Sequence, residues 1–499
     1  MSSLPRALYT AAQVRELDRY AIETLGVPGY TLMSRAGEAA LFALKKEWPQ
    51  ARSILVICGP GNNGGDGYVL ARLARAHGFG VTTIAMGDPS LLRGDARRAY
   101  EDFVKDGGAT SSWDSSALDS AHIVVDAVFG TGLSRTLDAS VVPMIDAVNA
   151  SARPVLALDV PSGLQSDTGA VMGASVRAHV TIAFIGLKLG FYLGRGPDFA
   201  GAIVFDDLGV SQAAIAHLPS SGQRIGEEEI LQVLPPRPRT AHKGQNGDVL
   251  IVGGGVGMAG AARLAGEAAL RSGAGRVTVA TRPENVGAIV ATRPELMCRG
   301  VENGSELQGL IERADIIAIG PGLGQDGWSR AMFETVIRSQ RTTIMDADAL
   351  NLLAQRGSKD LPTGHRILTP HPGEAGRLLG VTNAEVQGDR LAAARAIAEQ
   401  FESIVVLKGA ASIVMASQQI PAICDRGNPG MASPGMGDVL TGVIAGVAAQ
   451  SQDLYPAVRV AVLAHAIAGD LAARRGQRGL IASDLFEHLP TCLNPVPSM

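Results

Sequence analysis

The segment best suited to chemistry is glycine-rich and contains a carboxylate. It spans residues 427–438 and continues into the apolar run 439–446. Glycines let a backbone approach a ligand closely, and the helix expected next would offer unpaired N–H groups to an anion. The helix dipole favours the charged form of Asp438 at the mouth of this anion hole. Phosphoryl transfer to a hydroxyl needs such a phosphate cradle with a base beside it, so the segment predicts an enzyme acting with a nucleotide.

Three polar loops in the first half each follow a short apolar strand. Their side chains include amides and carboxylates: Asn62, Asn63, Asp66, Asp126 and Asp159. Ligands of doubly wound sheets bind outside the carboxyl ends of the strands, so the three loops can converge on one site. Their oxygens and donors suit a polar ligand or a hard cation. The alternative is that each Asp only caps a turn, which is the commoner role of a lone Asp.

A dinucleotide-binding reading competes with this interpretation of the first loop. The pattern G-x-G-x-x-G occurs three times, at residues 59–64, 255–260 and 322–327. Each match follows an apolar strand, as a dinucleotide fingerprint requires. However, 61 of the 499 residues are glycine, so the pattern arises easily. A carboxylate such as Asp66 would also repel a pyrophosphate, which weighs against a Rossmann dehydrogenase.

The second half repeats the arrangement of polar residues after apolar strands. Asp346 and Asp348 follow one strand, and His371 lies between two prolines after the next. Lys408 and Gly409 follow a third. His371 is expected to be held rigidly and exposed, although a plain surface turn would also explain it. Lys408 could contact phosphates or simply solvate the end of a strand.

The elements that must position these residues are alternating strands and helices. Strands are predicted at 54–58, 81–86, 123–128, 155–160, 180–185, 249–252, 276–280, 316–319, 343–346, 366–368 and 404–407. Helices are predicted at 11–25, 31–47 and 68–77. Short apolar strands separated by helices indicate α/β domains with parallel sheets covered on both faces. Three prolines within residues 234–240 mark a linker or lead-in strand, so we place two domains at 1–222 and 223–499.

Composition excludes several classes of protein. The net charge is −4 without a basic block, which offers no footprint for nucleic acid. The cysteines are scattered and form no CxxC pair, as is typical of a reducing cytoplasm: Cys58, Cys298, Cys424 and Cys492. The N-terminus lacks the apolar region of a signal peptide. No uncharged apolar run reaches the roughly 18 residues of a membrane helix.

Taken in order, these motifs resemble the bifunctional NAD(P)H-hydrate repair enzymes over nearly the whole chain. Residues 62–67, 126–136 and 159–163 match the epimerase half of that family. Residues 242–244 through 435–438 match its ADP/ATP-dependent dehydratase half. The resemblance implies a Rossmann-like three-layer N-terminal domain and a ribokinase-like α/β C-terminal domain. It also implies that the substrates are hydrated NADH and NADPH (NADHX and NADPHX), with ADP or ATP as cosubstrate.

For the epimerase half, the resemblance implies one set of ligands for the hydrate. These are Asn62, Asn63, Gly64, Gly65, Asp66, Gly130, Thr131, Gly132, Leu133, Ser134, Arg135, Thr136 and Asp159. A potassium ion would be held by Asn63, Asp126 and Ser162. Asp159 is the candidate acid/base for epimerisation at C6, because the three loops contain no Glu, Lys or Cys.

For the dehydratase half, the resemblance implies substrate contacts from Ala262, Gly322, His371 and Asp438. The adenine nucleotide would be held by Lys408, Gly409, Ala410, Ala411, Ser412 and Gly437. In the implied mechanism, Asp438 accepts the proton of the C6 hydroxyl. The terminal phosphoryl group moves to that oxygen while magnesium neutralises charge, and phosphate then leaves.

Two alternatives remain open from the residues alone. A ribokinase-type small-molecule kinase with a fused regulatory domain would share residues 435–438 but leaves residues 62–67 unexplained. The N-terminal half could also be a non-catalytic binding module, against which the joint presence of Asn63, Asp126 and Asp159 argues. The oligomeric state, a homo-oligomer included, is not specified by the sequence, nor is the preference between ADP and ATP or between the two hydrates.

Overall fold

The computed structural model describes residues 4–133, 135–359, 361–362 and 364–494. The chain divides into two compact units, Met1–Gln223 (unit 1) and Arg224–Met499 (unit 2). All four cysteines are free and buried, as expected for small apolar fillers of a core.

Unit 1 is built on a parallel sheet with the strand order β4-β3-β2-β5-β6-β7-β9. A short strand, β1, pairs in parallel with β8 and antiparallel with β10. The strands are β1 Ala7–Tyr9, β2 Ser53–Cys58, β3 Gly80–Ala85, β4 Thr110–Ser111, β5 Ile123–Ala127, β6 Val155–Leu158, β7 Val180–Phe184, β8 Leu187–Lys188, β9 Ala202–Asp206 and β10 Gly222–Arg224.

The helices of unit 1 cover both faces of this sheet. They are α1 Ala11–Glu23, α2 Gly29–Glu47, α3 Asn62–Ala76, α4 Gly94–Lys105, α5 Val142–Ala150, α6 Gly196–Phe199 and α7 Gln212–Ile215. One buried cluster joins the first four helices to β2 and β5, and a second joins α5 to the opposite face. Strands β5 and β6 are buried along their whole length, which explains their apolar sequence apart from Asp126 in β5.

Unit 2 contains a larger mixed sheet with the order β13-β12-β11-β14-β15-β16-β17-β18-β19. The pairs from β13 to β17 are parallel, and the last two pairs are antiparallel. The strands are β11 Asp248–Val252, β12 Arg276–Thr281, β13 Met297–Gly300, β14 Ile316–Ile319, β15 Thr342–Met345, β16 Arg366–Leu368, β17 Ile404–Leu407, β18 Ser412–Met415 and β19 Ala422–Cys424.

The helices of unit 2 enclose the sheet. They are α8 Glu228–Val233, α9 Ala259–Arg271, α10 Val286–Thr292, α11 Gly304–Ile311, α12 Gly327–Ile337, α13 Ala347–Arg356, α14 Pro372–Leu379, α15 Asn383–Gly388, α16 Arg390–Gln400, α17 Met436–Ala448, α18 Leu454–Ala472 and α19 Leu489–Leu493. In the described residues, one helix, Leu454–Arg475, is long and apolar enough to cross a membrane. Because 67% of its apolar window is buried inside the fold, it reads as a core helix.

The predicted α/β class with parallel sheets is confirmed, and two details of the elements differ from expectation. Residues 62–66 form the first turn of α3, where the sequence predicts a polar loop. The antiparallel strands β18 and β19 are not among the predicted strands. The division after Gln223 lies one residue from the boundary placed at 222/223, and the proline-rich segment 234–240 follows α8 inside unit 2.

Candidate active sites

Unit 1 has a cavity of about 590 Å³ whose wall contains most of the residues predicted to bind substrate. The predicted residues in its wall are Asn62, Asn63, Asp66, Gly130, Thr131, Gly132, Leu133, Arg135 and Asp159. Of the other described candidates, Gly64, Gly65 and Thr136 do not line it. Ser134 lies outside the described residues. The cavity wall also includes Asp18 of α1, which sequence reasoning did not select.

The glycines at the start of α3 serve close packing. An ideal Cβ on Gly64 would lie 2.0 Å from the carbonyl oxygen of Gly59, and one on Gly67 would lie 2.7 Å from Cβ of Ala127. Neither glycine has the positive φ that a tight turn would require. The absent side chains bring the start of α3 against the end of β5, which positions Asn63 beside the cavity.

Asn63, Asp126 and Ser162 supply buried oxygen atoms around the backbone of residues 128–130. The amide of Asn63 is buried, and neither its oxygen nor its nitrogen has a hydrogen-bond partner among the described residues. The Ser162 hydroxyl donates to Asp126 Oδ1 at 2.6 Å, and the Ser162 N–H donates to Oδ2 at 2.7 Å. Burial raises the pKa of Asp126 to about 6, although the hydrogen bonds from Ser162 lower it. A buried carboxylate beside an unpaired amide oxygen suits a cation.

Asp159 follows β6 with a left-handed backbone, φ 63°, which turns its side chain toward the cavity. Its Oδ2 accepts a hydrogen bond from the N–H of Thr131 at 3.1 Å. Its Oδ1 forms an ion pair with Nζ of Lys188, which is completely buried in β8. Lys188 also donates to the carbonyl oxygen of Phe184 at 3.2 Å. The three loops contain no lysine, as the sequence shows, but β8 supplies one to Asp159 from outside them.

Two more carboxyl groups lie near this ion pair. Burial and the charge of Asp159 raise the pKa of Asp18 to about 6, while Lys188 lowers it. Burial, Asp159 and Asp18 raise the pKa of Asp66 well above its usual range, again opposed by Lys188. The cavity thus brings together carboxyl groups that hold their protons differently.

In unit 2, the predicted anion hole is the open N-terminus of α17. Gly435 precedes the helix with φ 88°, and no side chain caps the first N–H groups. Asp438 lies in the first turn. Burial and the nearby Asp346 raise the pKa of Asp438 to about 6, while Lys408 lowers it. The free N–H groups and a carboxylate titrating near neutrality match a phosphate cradle with a base beside it.

Helices α9 and α17 pack in close contact at glycines. An ideal Cβ on Gly442 would lie 2.1 Å from the carbonyl oxygen of Ala265, and one on Gly446 would lie 2.6 Å from that of Ala269. The contacts advance from Gly442 to Gly446 on α17 as they advance from Ala265 to Ala269 on α9. The two helices therefore run in the same direction and begin on the same side of unit 2. Ala262, predicted to contact substrate, is fully buried in the first turns of α9.

Lys408 is the electrostatic centre of this site. Its Nζ lies 2.6 Å from Oδ1 of Asp346 and 3.8 Å from Oε2 of Glu374. Although burial opposes it, these carboxylates raise the pKa of Lys408. The hydroxyl of Thr441 on α17 donates to Asp346 Oδ2 at 2.8 Å. An ideal Cβ on Gly437 would lie 3.4 Å from the Lys408 Nζ, so the ammonium group is beside the anion hole.

His371 lies between two prolines and caps the N-terminus of α14. Its Nδ1 accepts from the N–H of Gly373 at 3.0 Å, and half of its side chain is exposed. Its Nε2 lies 3.4 Å from Oε1 of Glu374. Burial and Lys408 lower the pKa of His371. Burial raises the pKa of Glu374 to about 7, partly offset by Lys408. Glu374 therefore lies between His371 and Lys408, and the charge of Lys408 acts on Asp438.

A buried guanidinium supports the turn of residues 408–411. The Arg390 Nη2 donates to the carbonyl oxygens of Leu407, Lys408 and Ala411, at 3.3, 3.3 and 2.9 Å. Burial lowers the pKa of Arg390 to about 10. Gly409 and Ala410 are exposed at the tip, and Ser412 begins β18. Sequence reasoning missed Arg390, which lies in a helix 18 residues before Lys408.

Gly322 lies between the end of β14 and the start of α9. It has φ 57°, and an ideal Cβ would lie 2.7 Å from the carbonyl oxygen of Met258. Its carbonyl accepts from the N–H of Gly255 at 2.6 Å. The backbone is close enough there that a side chain would separate the two segments.

Two family models match the chain. The model described as NAD(P)H-hydrate dehydratase matches residues 249–491, and the model described as YjeF-related protein N-terminus matches residues 29–190. The two matches fall in units 2 and 1, respectively. Lys408 and Asp438 lie in the first match, whereas Asp126, Asp159 and Lys188 lie in the second.

Full-length relatives and a solved structure agree with these matches. The chain is 43% identical to the bifunctional NAD(P)H-hydrate repair enzyme Nnr of Coxiella burnetii, over 98% of this chain and 99% of the relative. It is 43% identical to Nnr of Escherichia coli, over 99% and 95%. A ribokinase-like superfamily protein from Enterococcus faecalis is 31% identical, with a TM-score of 0.51, covering 54% of this chain and 94% of that structure.

Proposed function

The chain belongs to the family of bifunctional NAD(P)H-hydrate repair enzymes, and from this premise we propose how its two units divide the repair of hydrated NADH and NADPH. Unit 1 interconverts the R and S epimers at C6. Unit 2 dehydrates the S epimer with ADP or ATP as cosubstrate. The observation that carries the assignment is similarity over the full length of relatives named bifunctional NAD(P)H-hydrate repair enzymes.

In unit 2, Asp438 is the base. With a pKa near 6, most of this carboxyl group is ionised at neutral pH, and it can accept the proton of the C6 hydroxyl. The open N-terminus of α17 and the Lys408 ammonium group hold the phosphoryl group that is transferred to the same oxygen. Phosphorylation converts a poor leaving group into a good one, and loss of phosphate from C6 together with a proton from C5 restores the dihydropyridine.

Asp346 and Thr441 keep Lys408 in position for this transfer. Asp346 bridges the two, accepting from Lys408 at one oxygen and from the Thr441 hydroxyl at the other. Because Thr441 is on α17, the bridge fixes the ammonium group relative to the helix N-terminus. Phosphoryl transfer depends mainly on positioning and electrostatics, so this rigid link supports the chemistry.

Magnesium and potassium ions are proposed for different reasons. The described residues contain no group of three or more His, Cys, Asp or Glu side chains placed to hold a metal. Magnesium, which neutralises phosphate charge when bound, would therefore be carried largely by the nucleotide. Potassium would be held by Asn63, Asp126 and Ser162, and the unpaired buried amide of Asn63 fits that role. Its charge would balance the buried carboxylate of Asp126.

We propose a cytoplasmic location, because four free cysteines fit a reducing compartment. Small molecules are the proposed partners, with no nucleic acid or membrane involved. The Gly64, Gly65, Ser134 and Thr136 positions remain proposals as substrate ligands, and so does Ala262.

The decisive experiment incubates the full chain with acid-hydrated NADH and either ADP or ATP. Return of the near-ultraviolet absorbance of NADH, with consumption of both epimers on chromatography, is the expected result. A stable phosphorylated product without NADH would instead favour a small-molecule kinase. Consumption of only the S epimer would remove the epimerase assignment of unit 1 while leaving that of unit 2.

A further inference from the structure

The wall of the unit 1 cavity brings several acidic side chains together. Asp18, Asp66 and Asp159 all line the cavity, and they come from α1, α3 and the end of β6. Lys188, whose charge acts on these carboxyl groups, is completely buried and pairs with Asp159. Arg15, Asp95 and Arg135 also line the cavity. Ionised carboxylates would repel one another here, so the arrangement favours protons on Asp18 and Asp66, which do not pair with Lys188.

We propose that Asp18 is a second catalytic residue of the epimerase site, donating a proton to the substrate while Asp159 removes one. This inference rests on the proposed epimerase function of unit 1. Asp18 lies outside the segment matched by the family model, which begins at residue 29. Its role therefore follows from its place in the cavity beside Asp159.

The chemistry of the substrate requires both a base and an acid. C6 of the hydrate bears a hydroxyl group and the ring nitrogen, so it is a hemiaminal carbon. Asp159 removes the hydroxyl proton, the C6–O bond becomes a carbonyl, and the electron pair of the C6–N1 bond goes to N1. Asp18 supplies the proton that N1 then needs.

Ring closure reverses the same transfers on the other face. After rotation about C5–C6, N1 adds to the opposite face of the aldehyde and returns its proton to Asp18. Asp159 gives its proton back to the oxygen. No bond to solvent forms, both carboxyl groups regain their starting states, and the configuration at C6 is inverted.

The environments of the two carboxyl groups match these opposite roles. Asp159 pairs with the Lys188 ammonium group and accepts from the N–H of Thr131. Asp18 has a pKa raised to about 6 by burial and Asp159, so it can give up and regain a proton near neutrality. Asp66 has its pKa raised well above the usual range, which makes it a weaker donor. Two carboxyl groups whose surroundings affect their proton affinities differently are suited to act as an acid and a base.

The test compares Asp18→Asn with Glu16→Gln, both in the full chain. Glu16 is also on α1, but its side chain is 48% exposed and pairs with Arg19. We expect Asp18→Asn to lower kcat for epimerisation by about 10²- to 10⁴-fold, with little change in KM, as for loss of a general acid. Glu16→Gln should match the wild type. Thermal unfolding followed by circular dichroism on the same samples reports correct folding.

The pH profile distinguishes proton donation from a structural role. Asp18 interacts electrostatically with Asp66 from α3, Asp159 after β6 and Lys188 in β8. The other charged residues that line its cavity are Arg15, Asp95 and Arg135. Because Asp18 must be protonated to act, wild-type epimerisation should fall as pH rises through about 6. Asp18→Asn should lose this dependence, and Asp18→Glu should restore it in part. The proposal would be overturned by an Asp18→Asn enzyme with wild-type kcat. It would also be overturned if that enzyme still lost epimerisation activity as pH rises through the same range.

Oxygen-18 water tests the bond that breaks. Ring opening retains the original C6 oxygen through each inversion, so the label should enter more slowly than the epimers interconvert. Incorporation of one solvent oxygen per inversion would overturn the ring-opening step. If the wild-type chain interconverts no epimers, the function proposed for unit 1 fails, which is a separate outcome from a fully active Asp18→Asn variant.

Discussion

The guanidinium group of Arg390 occupies the space that a side chain on Gly409 would need. An ideal Cβ built on Gly409 would lie 2.2 Å from the Arg390 Nη1. The same guanidinium donates to three carbonyl oxygens of the turn that follows β17. A glycine and a buried cation therefore fix the shape of the segment proposed to bind the adenine nucleotide.

Replacing this cation should weaken nucleotide use without affecting unit 1. Arg390→Met keeps a similar length but removes all three hydrogen bonds, so the turn should shift relative to Lys408. A displacement of about 1 Å can reduce a reaction about a hundredfold. We expect KM for ADP or ATP to rise at least about tenfold, with epimerisation unchanged. Arg395→Met, an exposed position on the same helix, is the matched control; equal effects of both changes would contradict the assignment.

Asp438→Asn should abolish restoration of NADH while leaving nucleotide binding nearly intact. The anion hole consists of backbone N–H groups, which the substitution keeps. Loss of a general base typically reduces the rate by about 10²- to 10⁴-fold. Single-turnover kinetics and nucleotide titration would measure the two effects separately. Wild-type turnover in this variant would exclude Asp438 as the base.

The dehydratase should lose activity as the solution becomes acidic. Asp438 must be ionised to accept a proton, and its pKa is raised to about 6. Its reactive form is therefore depleted as pH falls through about 6, and kcat/KM should decline there. Glu374, whose pKa is raised to about 7, is the other carboxyl group that could produce such a limb. If Glu374→Gln removes the limb, the titrating group is Glu374 and the prediction is wrong.

Asp126→Ala should weaken the effect of potassium on unit 1. The substitution removes the carboxylate that would balance the cation and leaves the unpaired amide of Asn63 in place. We expect epimerisation to require a higher potassium concentration and to be slower at saturation. Dehydratase activity should be unchanged in the same samples. Equal loss of both activities would indicate misfolding of the chain.

The two units should fold separately. Each has its own sheet-centred buried cluster, and the division falls after Gln223. Fragments 1–223 and 224–499 are expected to unfold cooperatively and to retain epimerase and dehydratase activity, respectively. Circular dichroism during thermal unfolding, together with the two assays, checks this prediction. Insoluble or non-cooperative fragments would show that the units depend on one another.

The sequence allowed the strand-end carboxylates to be predicted because they lie at the ends of buried apolar runs. Asp159 and Asp346 come just after such strands, and Asp126 is the penultimate residue of β5. The polar segment of residues 62–66 forms the first turn of α3, although its glycines suggest a loop. These glycines serve close packing, and the contact of Gly65 with Met33 joins residues that are distant in sequence.

The partners of these carboxylates could not be predicted in the same way. Asp18 lies in an amphipathic helix, where a charged residue normally indicates a solvated face. Lys188 lies in a two-residue strand, which gives no periodic signal. Arg390 lies in a helix whose sequence resembles an ordinary exposed one. Each becomes functional only through tertiary contacts between elements far apart along the chain.

The burial of all four cysteines has a consequence for the conditions under which the enzyme can work. Burial raises the pKa of Cys424 to about 12 and of Cys492 to about 11, and it raises those of Cys58 and Cys298 as well. Peroxides and electrophiles attack the thiolate, which these cysteines scarcely form. The proposed dehydratase base, Asp438, and its partner Lys408 are likewise insensitive to mild oxidants. Oxidative stress damages many thiol-dependent enzymes, but this chain should keep its activity through it.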